Sequence, residues 1–216
     1  MSLIELLLAD GRFPGGGFAH SGGLEAAVAE GDVRTLTDLE SFAAGRVTTT
    51  GMLDAWVAAQ ACQMVRVGPA GLSDPAVGAL QDEAEAHQPS PALRSASRAQ
   101  GRGLRRAAAV IWPQLEDCPY EVHAVVLGVV AAAAGLDPVQ AARLAVHGVL
   151  MSTCSAAPKL LSLDMADALS IEVRLASLAE ATVRAAVDPN CPMRGAPAVE
   201  LRAERHAHWE VRLFAS

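Results

Sequence analysis

Arg94, Arg98, Arg102 and Arg105 follow one another at i, i+4, i+8 and i+11. On an α-helix that spacing sets four guanidinium groups on one side. Like charges so aligned repel, and the cost is offset either by acids packed across them or by an anionic partner surface. Gly101 and Gly103 sit inside the stripe, where each lowers helix propensity by about 1 kcal/mol relative to alanine and admits another backbone closely. Lys159 follows Pro158 and is flanked by Leu160 and Leu161. Its reading stays open between a stem laid over apolar surface and a polar group at an interface or channel. Met151 and Cys154 upstream are soft metal ligands by type, but one Met and one Cys on an apolar helix read as core. At the end of the chain His206 and His208 form a His-x-His pair, the candidate metal ligands. Such a pair faces apart on a helix and alike on an extended strand, where imidazole suits nickel. Around it Arg202, Arg205, Trp209, Arg212 and Phe214 have the composition of a binding hot spot, and chain ends are often ordered only by a partner. Trp209 and Phe214 are therefore expected to be exposed. The partner-binding candidates are Arg98, Arg102, Lys159, Arg205, Trp209, Arg212 and Phe214. No Gly-x-Ser-x-Gly elbow, His-Glu-x-x-His or carboxylate cluster is present, so the expectation is a protein that is not an enzyme.

A glycine-rich run precedes all of these: Phe13-Pro14-Gly15-Gly16-Gly17-Phe18-Ala19-His20-Ser21-Gly22-Gly23-Leu24-Glu25. Proline and repeated glycine bar a helix, while Phe13 and Phe18 give the run two apolar anchors. It reads as a turn feeding a short helix that stops at Gly31, with Pro14, Gly15, Gly16, Gly17, Gly23 and Glu25 as its structural residues. A phosphate cradle fails on two counts. No Lys-Ser/Thr follows the glycines, and the segment before them reads as helix where a dinucleotide fingerprint needs a strand.

The elements that must carry these groups are helical. Of 216 residues, 51% are apolar and rich in alanine, with few aromatics, which favours close-packed helices over sheets. A chain of this length buries about 70% of its unfolded surface. Thr35 with Asp38, Asp74-Pro75, Ser90-Pro91, Asp137-Pro138 and Asp164 are helix starts. They place helices over 36–47, 52–67, 75–88, 91–112, 120–134, 139–157, 165–187 and 199–209, with a break at 48–51 and a loop at 188–198. The fold class is all-α, a single compact bundle of about eight to ten helices over residues 1–216, with 199–216 a partner-docking segment. The net charge of −7 disfavours nucleic acid as a partner. Cys62, Cys118, Cys154 and Cys191 show no C-x-x-C pair and fit a reducing compartment. The apolar run 122–134 is shorter than the roughly 20 residues that span a bilayer, and no signal peptide is evident. The expectation is a cytoplasmic protein without a membrane partner.

The glycine-rich turn with its Ser-x-Gly-Leu-Glu helix start resembles the signature of the urease accessory protein UreF family. Ala96-Ser97-Arg98-Ala99-Gln100-Gly101-Arg102, Lys159-Leu160, Arg205-His206 and the ending Arg212-Leu213-Phe214-Ala215-Ser216 also match in order and spacing, so the likeness spans the chain. It implies an all-α homodimer that is a non-catalytic scaffold for nickel insertion. Such a scaffold bridges UreD/UreH and the GTPase UreG, passes nickel in transit toward apo-urease, and holds no tightly bound cofactor. An alternative implication is a regulator of the UreG GTPase, with Arg98, Arg102 or Arg212 inserted toward the phosphates. A departure stands at Gly22, where many relatives carry glutamine.

Overall fold

A computed structural model describes residues 2–14, 19–68, 71–188, 190–191 and 194–214. Gly15, Gly16 and Gly17 of the expected turn lie outside the described residues. The rest is helical: α1 (Leu3–Ala9), α2 (Leu24–Ala29), α3 (Leu36–Thr48), α4 (Thr50–Val67), α5 (Pro75–Ala86), α6 (Pro91–Ala109), α7 (His123–Ala133), α8 (Pro138–Leu160), α9 (Met165–Ala186) and α10 (Pro197–Ala207). No strand occurs among the described residues, and the all-α bundle is as expected. No helix is long and apolar enough to cross a membrane among the described residues.

Helices α4, α7 and α8 pack together at the centre, with α9 closing one side and α6 laid on α7. The reason is composition. Val125, Val126, Val129 and Val130 of α7 are fully buried, as are Ala58 and Ala61 of α4 and Ala141 and Ala142 of α8. Small residues let the axes approach: a Cβ added at Gly128 would stand 2.7 Å from the Ala61 Cβ. Reciprocal capping boxes fix three helix starts, Ser2 with Glu5, Thr35 with Asp38, and Asp137 with Gln140.

Several boundaries differ from expectation, each for a local reason. The break after α3 falls at Thr49 (φ −117°, ψ −88°), where the Thr48 and Thr49 hydroxyls donate back to the Ala44 and Gly45 carbonyls at 3.1 and 2.8 Å. Helix α7 starts at His123, three residues later than expected. The Glu121 and Val122 N–H groups donate instead to the Gln81 side-chain oxygen at 2.9 and 3.2 Å, and the Tyr120 hydroxyl to the Asp74 carbonyl at 3.0 Å. Helix α8 runs through Pro158, which sits in its last turn. The proline gives up only its own N–H there, and Leu161 still closes onto Ala157 at 2.8 Å. Helix α10 takes in Pro197 as its first residue and ends at Ala207, short of Trp209.

Candidate functional site

Glu25 is the point at which the two ends of the sequence meet. Gly23 adopts φ +86°, a left-handed conformation open to glycine, and starts α2 so that Glu25 falls in its first turn. Glu25 is only 7% exposed. It is bonded to the His206 ring Nε2 at 2.8 Å and accepts from the backbone N–H groups of Leu213 at 2.8 Å and Phe214 at 3.1 Å. Phe214 is thereby drawn into the core, only 6% exposed, with the Lys159 ammonium 5.5 Å from its ring centroid. Trp209 is half-buried, its ring 4.8 Å from that of His206. The expectation that Trp209 and Phe214 are both exposed is therefore corrected: Phe214 is covered because Glu25 satisfies its own N–H and that of Leu213, and Trp209 packs against the His206 ring.

Helix α10 itself is gripped from two directions. Arg202 reaches Glu30 at 3.0 Å and also Asp32, and Arg205 reaches Glu30 at 3.2 Å. On the other side Glu200 accepts from the Ser90 N–H at 2.7 Å, and Glu204 accepts from the Ala92 N–H at 3.0 Å and from the Ser90 hydroxyl. Both carboxylates lie at the N-terminus of α6, where the helix dipole favours negative charge. The segment expected to wait for a partner is folded onto its own protein, and what it turns outward is Val211, Arg212 and Leu213, all exposed. His206 is committed to Glu25 while His208 is exposed at the end of α10, so the two histidines do not converge. Among the described residues no group of three or more His, Cys, Asp or Glu side chains is placed to hold a metal ion.

The arginine stripe lies along α6 and is answered within the chain. Arg98 grips Glu85 of α5 with two bonds of 2.7 Å, and Arg102 meets Glu121 at 3.2 Å. Arg94 donates to the Gln88 and Pro89 carbonyls at 2.6 and 2.9 Å, and Arg105 donates to the Cys118 carbonyl. The backbone approach that Gly101 permits is likewise internal, since a Cβ there would lie 2.8 Å from the Glu121 carbonyl carbon. Exposed contacts of this kind are screened by water, so they neutralise the stripe more than they stabilise the fold.

A cavity of about 230 Å³ separates α1 and the start of α4 from α6, α7 and α8, and it was not anticipated. Arg46, Asp54, His20 and His123 line it. Asp54 and His123 are enclosed by protein yet keep some accessible surface, and both line this cavity. Burial raises the Asp54 carboxyl to about 6, against the pull of Arg46. Burial, helped by His20, lowers His123 to about 4. Unfolding returns His123 to its ordinary value near 6.5, so below that pH the unfolded chain takes up a proton that the folded chain refuses until about 4. Stability present at neutral pH is lost across that window, about 2 kcal/mol between pH 7 and 5 from this residue. Asp54 acts in the opposite sense, since its raised value adds stability as the pH falls through about 6. The variant His123→Asn is expected to lose about 2 kcal/mol less than the parent between pH 7 and 5 in urea melts; equal losses would contradict this assignment.

Gly22 (φ +61°) borders the same cavity, and the space its Cβ would take is filled by the Arg46 guanidinium. An arginine thus stands where a side chain at position 22 would go. The only sequence signal for it was a lone base in the second half of α3.

Residues 33–176 match the protein family described as UreF. A urease accessory protein UreF from Mycobacterium sp. (strain JLS) is 38% identical over 98% of this chain and 97% of its own length. The protein of the same name from Mycolicibacterium vanbaalenii is 37% identical over the same shares. The chain belongs to the UreF family. A third UreF, from Mycobacterium tuberculosis (strain H37Rv), is 37% identical over 99% of this chain and 98% of its own. The three relatives match 98–99% of the chain, whereas the family match at 33–176 lies between Glu25 and the C-terminal segment that folds onto it.

Proposed function

We propose that this protein is a non-catalytic accessory factor of urease maturation, a scaffold that bridges UreD/UreH and the GTPase UreG while nickel passes as cargo toward apo-urease. The observation that carries the reading is membership of the UreF family over nearly the whole chain, with relatives named as urease accessory proteins. The folded C-terminal segment supports a docking role for its outer face, because Val211, Arg212 and Leu213 are presented to solvent on a base fixed by Glu25. Lys159, over the Phe214 ring, and Arg205, beside Glu30, are both exposed and are proposed for the same docking surface. Arg98 and Arg102, held by Glu85 and Glu121, would engage a partner only by exchanging those acids. A homodimer in the cytoplasm completes the reading. Met165, Leu169 and Val173 recur at i, i+4 and i+8 on α9 and are exposed, which suits isologous pairing of that face.

The test is complementation of a strain lacking the chain but holding urease and the other accessory proteins. The chain is expected to restore nickel content and activity of urease; full nickel loading without it would contradict the reading. A second reading, regulation of the UreG GTPase, is favoured by one observation: Arg212 is exposed and makes no ion pair among the described residues. An inserted arginine accelerates hydrolysis by about 10³-fold or more. Single-turnover GTP hydrolysis by UreG, with and without the chain, separates the two, since a scaffold leaves the rate unchanged.

A further inference from the structure

Arg46 carries a charge that the described protein only half answers. Its side chain leaves α3, lines the cavity and is 8% exposed. One terminal nitrogen donates to the Thr153 hydroxyl at 3.3 Å, while Nε, itself shut off from the cavity, finds no acceptor among the described residues. No carboxylate forms an ion pair with it there. A buried guanidinium whose N–H groups are answered only in part is costly unless something completes it. Burial lowers the guanidinium to about 10, with Asp54 acting to raise it, and it remains a cation at neutral pH.

Two further features line the same cavity. Helix α4 begins at Thr50 with no side-chain bond to its first N–H groups from the Thr49 cap, and Thr49 and Thr50 both line the cavity. The N-terminus of an 18-residue helix carries a partial positive charge that favours an anion. The planar fork of arginine matches a planar oxyanion through two parallel bonds. Some 230 Å³ accommodates such an ion together with water, each water taking about 30 Å³. Asp54 lines the same space and repels a bare anion, but its carboxylate accepts from a ligand that carries a hydroxyl.

We propose that this end of the cavity binds a small planar oxyanion of the carboxylate and bicarbonate class, held by the Arg46 guanidinium and the N-terminus of α4. Asp54 sets the preference within the class: bicarbonate donates its hydroxyl to Asp54, and formate has none to donate. The site stands on this chain's residues alone and does not depend on the scaffold reading.

The experiment titrates the purified full chain at pH 7.5 with sodium formate or sodium bicarbonate, against sodium chloride at equal ionic strength. Melting temperature and the line width of ¹³C-labelled ligand are followed. The parent is expected to respond saturably to both oxyanions, more tightly to bicarbonate, and not to chloride. Arg46→Gln is expected to weaken both by about tenfold or more. Asp54→Asn is expected to bind formate several-fold tighter and to lose the bicarbonate preference. A parent response equal to that of chloride, or an equal response in a folded Arg46→Gln protein, overturns the proposal. Should Arg46→Gln fail to fold, Asp54→Asn decides: unchanged formate affinity and unchanged preference overturn it.

Discussion

Replacing Gly128 with alanine is expected to destabilise the protein by about 3 kcal/mol, lowering the melting temperature by about 10 °C. The added methyl would meet the Ala58 carbonyl oxygen, with the carbonyl carbon at 3.0 Å and the Ala61 Cβ at 2.7 Å. These are backbone and Cβ atoms of α4, and neither can rotate away, so the two central helices must separate. Alanine gains about 1 kcal/mol in helix propensity over glycine, and overpacking at the centre of the bundle outweighs it. Gly45 in α3 is the control, because a Cβ there meets nothing within 4 Å. Gly45→Ala is expected to leave stability unchanged or raise it by up to about 1 kcal/mol. Urea melts of the two variants decide the matter, and equal midpoints would contradict this account of the core.

Replacing Glu25 with alanine is expected to have a comparable effect by a different route. Its carboxylate answers His206 and the Leu213 and Phe214 N–H groups. Its loss leaves these groups without their acceptor, at about 1–3 kcal/mol for each that stays buried. Release of the segment to water limits the total to about 3 kcal/mol and exposes Phe214. Hydrogen exchange at the Leu213 and Phe214 amides should rise toward that of an unfolded chain, while α4 and α7 amides keep their protection. Glu25→Gln retains one acceptor oxygen and should fall between the two. Unchanged protection at Leu213 and Phe214 in Glu25→Ala would remove Glu25 from its assigned role.

Most of the helical architecture was legible because caps and prolines punctuate the sequence: Thr35, Asp74-Pro75, Ser90-Pro91, Asp137-Pro138 and Asp164 each start the helix expected of them. The misplaced ends are those decided by distant partners, such as Gln81 capturing the chain before α7. The arginine stripe was visible in its spacing, but Glu85 and Glu121, which answer it, come from other elements, and spacing along one helix carries no information about them. Glu25 was legible as part of a turn, whereas its role as receptor for residues 213 and 214 joins opposite ends of the chain. The same holds for the cavity, whose Arg46, Asp54, His20 and His123 are scattered in sequence and meet only through packing.

The central claim is that the protein works through the faces it presents, above all the outward side of the C-terminal segment. Truncation there would also remove Phe214 from the core, so the direct measurement uses Arg212→Glu with Leu213→Glu, both exposed positions. Copurification with UreD/UreH and UreG is compared with the parent, alongside melting temperature. The account predicts loss of UreD/UreH from the captured complex with the melting temperature unchanged; full capture by the doubly substituted chain would contradict it.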